Sequence, residues 1–321
     1  MKKISYNEID SFMREVDNAY LISHDSAYDL FKSTEIEYPK FKFNNPLSDE
    51  FRNDILSIYK KISGKSSYRP INEESYFDVD AAIFNPYPYQ TKSVERVALY
   101  HQLLAKLMSM IELDPGDSIL DMGCGWGTTS LEFAQIGFNV TSLDINKYFC
   151  HLVKKRAQLL KIKNLDIINE DFLWIEKTNK KFDAIVFFEC FHHCWEFERL
   201  LTSMHRVLKP KGKIYFAAEP ITNIFPLPWT LRMDGESLYV IKKFGWLELG
   251  FRTDFFSNLL NQTGWHGECI EQGFWKATKL INSPSKTAEI NLDSIKHVKQ
   301  SVREKLKNFL IKLGRKILSK L

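Results

Sequence analysis

Apolar residues in the middle of the chain fall into short unbroken runs that end in acids or glycines, the pattern of strands buried on both faces. ILDMGCGWG at 119–127 ends a first strand at Asp121 and turns on Gly123, Gly125 and Gly127. NVTSLDIN at 139–146 reads as a second strand ending at Asp144. A third, at about Leu165–Ile168, leads into Glu170, Asp171 and Phe172, and KFDAIVFFE at 181–189 is a fourth. LKPKG at 208–212 reads as the end of a helix turning into a fifth strand, IYFAAE, while GWHGECIEQ at 264–272 and FWKATKL at 274–280 suit a closing hairpin. Helical spacing predicts helices at about Thr128–Ile136 and over Val94–Ile111, where apolar positions 94, 97, 98, 104, 107, 108 and 111 suit one buried face. Further helices are expected around Tyr6–Tyr20 and Asp49–Ile62. Pro86 and Pro88, inside YFDVDAAIFNPYPYQTK at 76–92, exclude a regular helix there.

The far end carries a different pattern. From Ile295 to Leu321 apolar residues recur at 295, 298, 302, 306, 309, 310, 313, 317 and 321, with Lys and Arg on the remaining faces. From Asn291 onward there are nine basic residues against two acids, a balance of +7 within a whole-chain charge of +4, so the rest of the protein sits near −3. A global nucleic-acid role loses its support, and no nucleic-acid partner is expected. A basic amphipathic helix over 293–321, joined by a polar linker at 281–292, suits an anionic membrane surface, a partner helix or docking on the protein itself.

With 321 residues, the chain leaves about 90 before the helix at Val94 that opens the strand-bearing part. Its five scattered cysteines argue for a reducing compartment rather than a disulfide framework. MKKISYNEID has no apolar stretch behind its lysines, and no run reaches the length of a membrane span. A cytoplasmic protein, free or peripheral on the inner membrane face, is the expectation.

The glycines carry the sharpest chemistry. Their spacing is GxGxG, one residue shorter than the dinucleotide fingerprint, and Asp121 stands two residues before the first. An acid there repels phosphate and suits an ammonium group, while Asp144 is placed to accept from ribose hydroxyls. Those are the two ends of S-adenosylmethionine. Together these motifs resemble the class I S-adenosylmethionine-dependent methyltransferase family over roughly residues 94–280. The resemblance implies an α/β fold, a doubly wound, mostly parallel sheet of seven strands with an N-terminal helical lid (1–93). It assigns Asp121, Gly123, Cys124, Gly125, Gly127, Asp144, Ile145, Asp171, Phe172 and Glu189 to the cofactor. Tyr87, Tyr89 and Lys92 of the lid either line the pocket or pack the lid down.

Residues after the fourth and fifth strands face the reacting methyl group. In ECFHHC at 189–194, His192 and His193 are candidate general bases, with Glu189 or Glu219 to orient or assist; both histidines holding the loop together is the other reading. Five potential ligands on one turn cannot converge on one ion, and no second ligand pair stands at metal spacing, so no metal is expected. The acceptor-side insertion at 219–250 offers Trp229, Arg232, Asp234, Glu236 and Trp246 for a sugar or another polar ring. ECFHHC and this long segment look like methyltransferases of bacterial surface glycans, which implies a hydroxyl of a saccharide or glycolipid as acceptor and a place in polysaccharide biosynthesis. GCGWG is also similar to cyclopropane fatty acid synthases, although ECFHH replaces their Phe-Glu-His turn. A small-molecule methyltransferase and a non-catalytic S-adenosylmethionine-binding scaffold are the remaining alternatives.

Overall fold

A computed structural model describes residues 2–41, 45–85, 87 and 91–280. The basic stripe at 293–321, its linker, Pro86, Pro88 and Tyr89 therefore lie outside the described residues. The chain begins with a short parallel pair, β1 (Lys2–Ile4) beside β2 (Thr34–Ile36), spanned by α1 (Ile9–Ile22) and α2 (His24–Ser33). The expected first helix divides: Tyr6–Glu8 is a 3-10 turn held by Ser5 and Glu8, and α1 then runs on to Ile22. α1 buries Ile9, Phe12, Val16 and Ala19, one face at helical spacing. α3 (Asp49–Ser63) starts at Ser48, whose hydroxyl accepts from the Phe51 amide, and stops at Gly64 in the left-handed region.

Within the aromatic segment before the prolines, α4 (Val79–Ala82) is a single turn, because Asp78 accepts from the amides of Asp80 and Ala81. This corrects the expectation of no helix in 76–92: the prolines begin only after that turn. α5 (Val94–Met110) follows, and its apolar face is buried only at Leu104, Leu107 and Met110. Val94 is exposed, Val97 and Leu99 line a large cavity, and Tyr100 and Leu103 line it while also packing on the core.

The sheet then forms from β3 (Ser118–Met122), α6 (Thr128–Ile136), β4 (Asn139–Asp144), α7 (Lys147–Leu159), β5 (Leu165–Asn169), β6 (Phe182–Phe188), α8 (Phe197–Val207) and β7 (Leu208–Ala217). LKPKG is not a turn before β7 but part of it. Leu208 already pairs with Phe182, and the register slips before Lys213 meets Ala184, so Pro210 sits in an irregularity where its missing N–H costs no ladder bond. After β7 come β8 (Trp229–Leu231), α9 (Gly235–Lys243), β9 (Leu249–Phe251), α10 (Thr253–Gln262), β10 (Trp265–Glu271) and β11 (Phe274–Lys279). The seven-stranded order is β10-β11-β7-β6-β3-β4-β5, parallel except for the β10–β11 hairpin and its join to β7. The chain leaves β3 toward β4 on one side and returns to β6 on the other. That reversal is the place where open α/β sheets bind ligands.

The N-terminal helices and the 219–251 insertion pack as one cap over the carboxyl ends of the strands, and their buried residues join the sheet in one core. Trp229 is fully buried against Phe51 and Phe197 and donates to the Pro46 carbonyl at 2.7 Å. The Tyr59 hydroxyl donates to the Gly245 carbonyl at 2.6 Å. Gly235 lets α9 approach α2 so closely that a Cβ there would lie 2.9 Å from the Phe31 backbone. Among the described residues no helix is long and apolar enough to cross a membrane.

Candidate active site

A cavity of about 1060 Å³ opens where β3, β4, β6 and β7 end beneath the cap. The three glycines expected at its floor are set by different causes. All have positive φ, which glycine adopts without strain. A Cβ on Gly123 would lie 2.8 Å from that of Cys190, so it permits close packing of two strand-end loops. A Cβ on Gly125 would meet nothing within 4 Å; this is backbone bared to the cavity, as a ligand requires. Gly127 was expected on the cofactor and does not line the cavity. It is the N-cap of α6, and its missing side chain makes room for Val153, 2.3 Å from where a Cβ would be.

Asp121 is almost wholly buried in the cavity wall, 1% exposed, and accepts from the Ser130 hydroxyl at 2.5 Å. Among the described residues no cation pairs with it. Burial pushes its carboxyl up to about 7 against the Ser130 hydrogen bond, with the Asp144 charge adding to the shift. Asp144 accepts from the amides of Gly125 and Asn146, both at 2.8 Å, and burial raises it to about 6 despite those donors. Each of its oxygens retains a further acceptor site. Cys124, Ile145, Asp171, Phe172 and Glu189 also line the cavity. Asp171 caps the turn at Phe172–Glu176 by accepting from the Leu173 amide. An unpaired acid beside bare glycine backbone, a second acid with free acceptor sites and an aromatic at Phe172 fit the ammonium, ribose and adenine of S-adenosylmethionine.

Segment 77–85 braces the glycine turn from outside. Phe77 stacks on Trp126 with centroids 5.1 Å apart, and Arg156 donates to the carbonyls of Trp126, Ala82, Ile83 and Asn85. Tyr87 reaches the cavity wall; Lys92 is exposed and does not.

The acceptor side is built around Glu219 at the end of β7. Its carboxylate accepts from the amides of Cys190, Phe191 and His192 and is 2.8 Å from His192 Nδ1. Burial alone would raise it, but the His192 charge and hydrogen bond and the amide donors hold it below the usual range. Glu219 thus positions the ECFHHC turn instead of meeting substrate. His193 Nδ1 lies 3.3 Å from Glu73 Oε2. Burial works against its charge, yet Glu73, Glu248 and Glu219 together raise His193 to about 9, so it is a cation at neutral pH. That state leaves it without the lone pair expected of a general base. Glu189 opens on the cavity with φ +52, a left-handed conformation that costs a residue with a side chain on the order of 1–3 kcal/mol. Glu189 lines the cavity yet stays exposed to solvent, and the hydration it does lose, with the charges of Glu219, Glu236 and Glu248, raises its carboxyl above the usual carboxylate range.

Of the insertion residues singled out in the sequence, Arg232, Asp234, Glu236 and Trp246 reach the cavity, whereas Trp229 belongs to the core of the cap. Sequence reasoning missed Glu73 and Glu248. Glu248 Oε2 stands 3.2 Å from Arg232 Nη1 and 3.7 Å from His192 Nε2. Neither acid sits in a recognisable motif; only the packing of the cap on the ECFHHC turn brings them in.

Residues 119–212 match a family model described as a methyltransferase domain, which covers the glycine turn, Asp144 and the ECFHHC turn. An uncharacterized protein of Methanocaldococcus jannaschii is 31% identical over 134 residues, 41% of this chain and 48% of that one. A ubiquinone biosynthesis O-methyltransferase of Coxiella burnetii is 28% identical over 102 residues, 32% of this chain and 43% of the relative. The chain therefore spans less than half the length of these curated relatives. Among solved structures, a SAM-dependent methyltransferase from Methanosarcina mazei aligns with a TM-score of 0.43 at 20% identity over 57% of this chain and 98% of that one.

Proposed function

We propose, from the methyltransferase domain that residues 119–212 carry, that the chain uses S-adenosylmethionine to methylate a hydroxyl of a saccharide or of the sugar head of a glycolipid. The observation that carries the first half of this reading is Asp121, a buried carboxylate with no cation paired to it among the described residues, in the wall of the cavity that the bare Gly125 backbone also lines. Such a charge is costly until an ammonium group joins it. For the acceptor, the support is the polarity of the cap side of the cavity: Arg69, Glu73, Glu189, Arg232, Asp234, Glu236 and Glu248 share it with Trp246. A hydrocarbon chain would strip water from these groups and return no hydrogen bonds, whereas a polyhydroxylated ring returns one per hydroxyl beside a flat apolar face. This favours a sugar over the double bond of a fatty acyl chain.

When bound, S-adenosylmethionine supplies a methyl group on a positively charged sulfur. The chain's own part is to align the acceptor oxygen and take its proton. Glu189, open to the cavity and with its carboxyl raised above the usual range, suits that transfer. His192 is the other acceptor for the proton, its Nδ1 held by Glu219 so that Nε2 is turned toward Glu248. His193, charged and leaning on Glu73, contributes a fixed positive charge beside the developing alkoxide. The test is a labelled-methyl screen offering sugars, glycolipids, quinols and sterols together with S-adenosylmethionine. Label in the sugar-containing acceptors, lost in Glu189→Gln, supports the reading; label only in quinol or sterol overturns the acceptor, and no label despite cofactor binding points to a scaffold. The basic stripe of 293–321 is proposed to hold the chain on anionic membrane. Removing residues 291–321 is expected to abolish flotation with anionic vesicles, and flotation that persists contradicts it.

A further inference from the structure

We propose that His192, His193 and Glu248 form a binding site for one divalent first-row transition-metal ion on the acceptor side of the cavity. One ligand atom from each of the three lies within 4.8 Å of the others. On an ion with metal–nitrogen and metal–oxygen distances of about 2.1 Å, neighbouring ligand atoms stand roughly 3–3.5 Å apart. His192 Nε2 and Glu248 Oε2 are already 3.7 Å apart, so the set closes on an ion with side-chain shifts of about 1 Å. The expectation of no metal rested on ligands drawn from one turn; the third comes from the insertion, 55 residues beyond His193 in the chain and adjacent to it in the fold.

Two further observations separate this cluster from a chance grouping of surface acids. All three side chains sit in the wall of an open cavity, His192 and Glu248 both below a tenth exposed. Each histidine has a carboxylate behind its Nδ1, Glu219 at 2.8 Å for His192 and Glu73 at 3.3 Å for His193, the arrangement that orients a ligating imidazole and raises its basicity. Ligation at His193 displaces the proton it carries in the metal-free chain, so ion and proton compete for that ring. Two imidazoles and one carboxylate suit zinc, manganese, iron(II) or cobalt and disfavour magnesium or calcium, which take oxygen ligands. Three protein ligands also leave positions open on the cavity side, where an acceptor hydroxyl or a vicinal pair of hydroxyls can enter. Arg232, on Glu248 Oε2 at 3.2 Å, orients that carboxylate and leaves its other lone pairs free. Binding of the ion does not depend on the methyl-transfer reading.

Titration of the metal-free full chain with cobalt(II) tests this, read by the ligand-field absorption of the ion. One equivalent should bind, be displaced by zinc(II), and weaken at least tenfold in Glu248→Gln and about 10- to 100-fold in Glu219→Gln. No absorption from folded protein at saturating cobalt, or full affinity in Glu248→Gln, overturns the site. Should Glu248→Gln fail to fold, imidazole nitrogen resonances of the unaltered chain decide: zinc(II) must shift those of His192 and His193, and shifts confined to the other six histidines overturn the proposal.

Discussion

Glu219 shows how one side chain sets a site without touching substrate. It gathers three backbone amides and an imidazole nitrogen, so the strand-end turn carrying Glu189, His192 and His193 is fixed by a single carboxylate. Glu219→Gln preserves the shape but replaces one accepting oxygen with a donor facing amides or His192. Turnover is expected to fall about 100-fold with the cofactor Kd unchanged within about threefold; parallel losses in both would mean that the turn itself collapses. Glu219 could be singled out from the sequence because it closes an apolar strand run, as could Asp121 and Asp144. Glu73 and Glu248 could not, because their partners lie 120 and 56 residues away, at His193 and His192, and are met through packing of the cap.

At the scale of elements, the glycine turn separates packing from ligand approach. Gly127→Ala would drive a Cβ into Val153 at 2.3 Å at a left-handed position, and a loss on the order of 1–3 kcal/mol is expected in denaturant unfolding. Gly125→Ala has open space around it, so it should cost less stability, from φ alone, while weakening cofactor binding at least tenfold. Reversed ranks for the two variants would contradict these assignments. The buried strands were legible because each is an apolar run bounded by an acid or a glycine, and β3, β4, β5 and β6 lie within two residues of their expected limits. Other features were not. β7 hides its start in LKPKG because an irregular register accommodates Pro210, and the face of α5 looks like core along its length although Val94 is exposed and Val97 lines the cavity. Hydrophobic spacing tells which face avoids water, not whether protein or ligand covers it.

For the whole molecule, the site opposes the stability of the fold. Asp121 at about 7 and Asp144 at about 6 both hold protons in the folded state that the unfolded chain releases near pH 4, so stability falls as pH rises from about 4 to about 7. His193, raised to about 9 from 6.5, contributes stability that is complete below about 6.5 and is lost as pH rises through about 9. Both effects run the same way, and the ligand-free Tm is expected to be several degrees higher at about pH 5.5 than at about pH 7.5. S-adenosylmethionine should raise Tm more at the higher pH, where Asp121 is ionised and lacks a cation. Equal increments at both pH values would mean that Asp121 does not meet the ammonium. The central claim, that this acid and the glycine backbone beside it hold S-adenosylmethionine, is tested most directly by calorimetric titration of the protein and its Asp121→Asn variant with S-adenosylmethionine and its demethylated product. One equivalent of either ligand should bind the unaltered protein, at least tenfold more weakly to Asp121→Asn, a variant that is itself more stable than its parent at about pH 7.5. No binding by the folded parent, or equal affinity in the variant, would contradict the account.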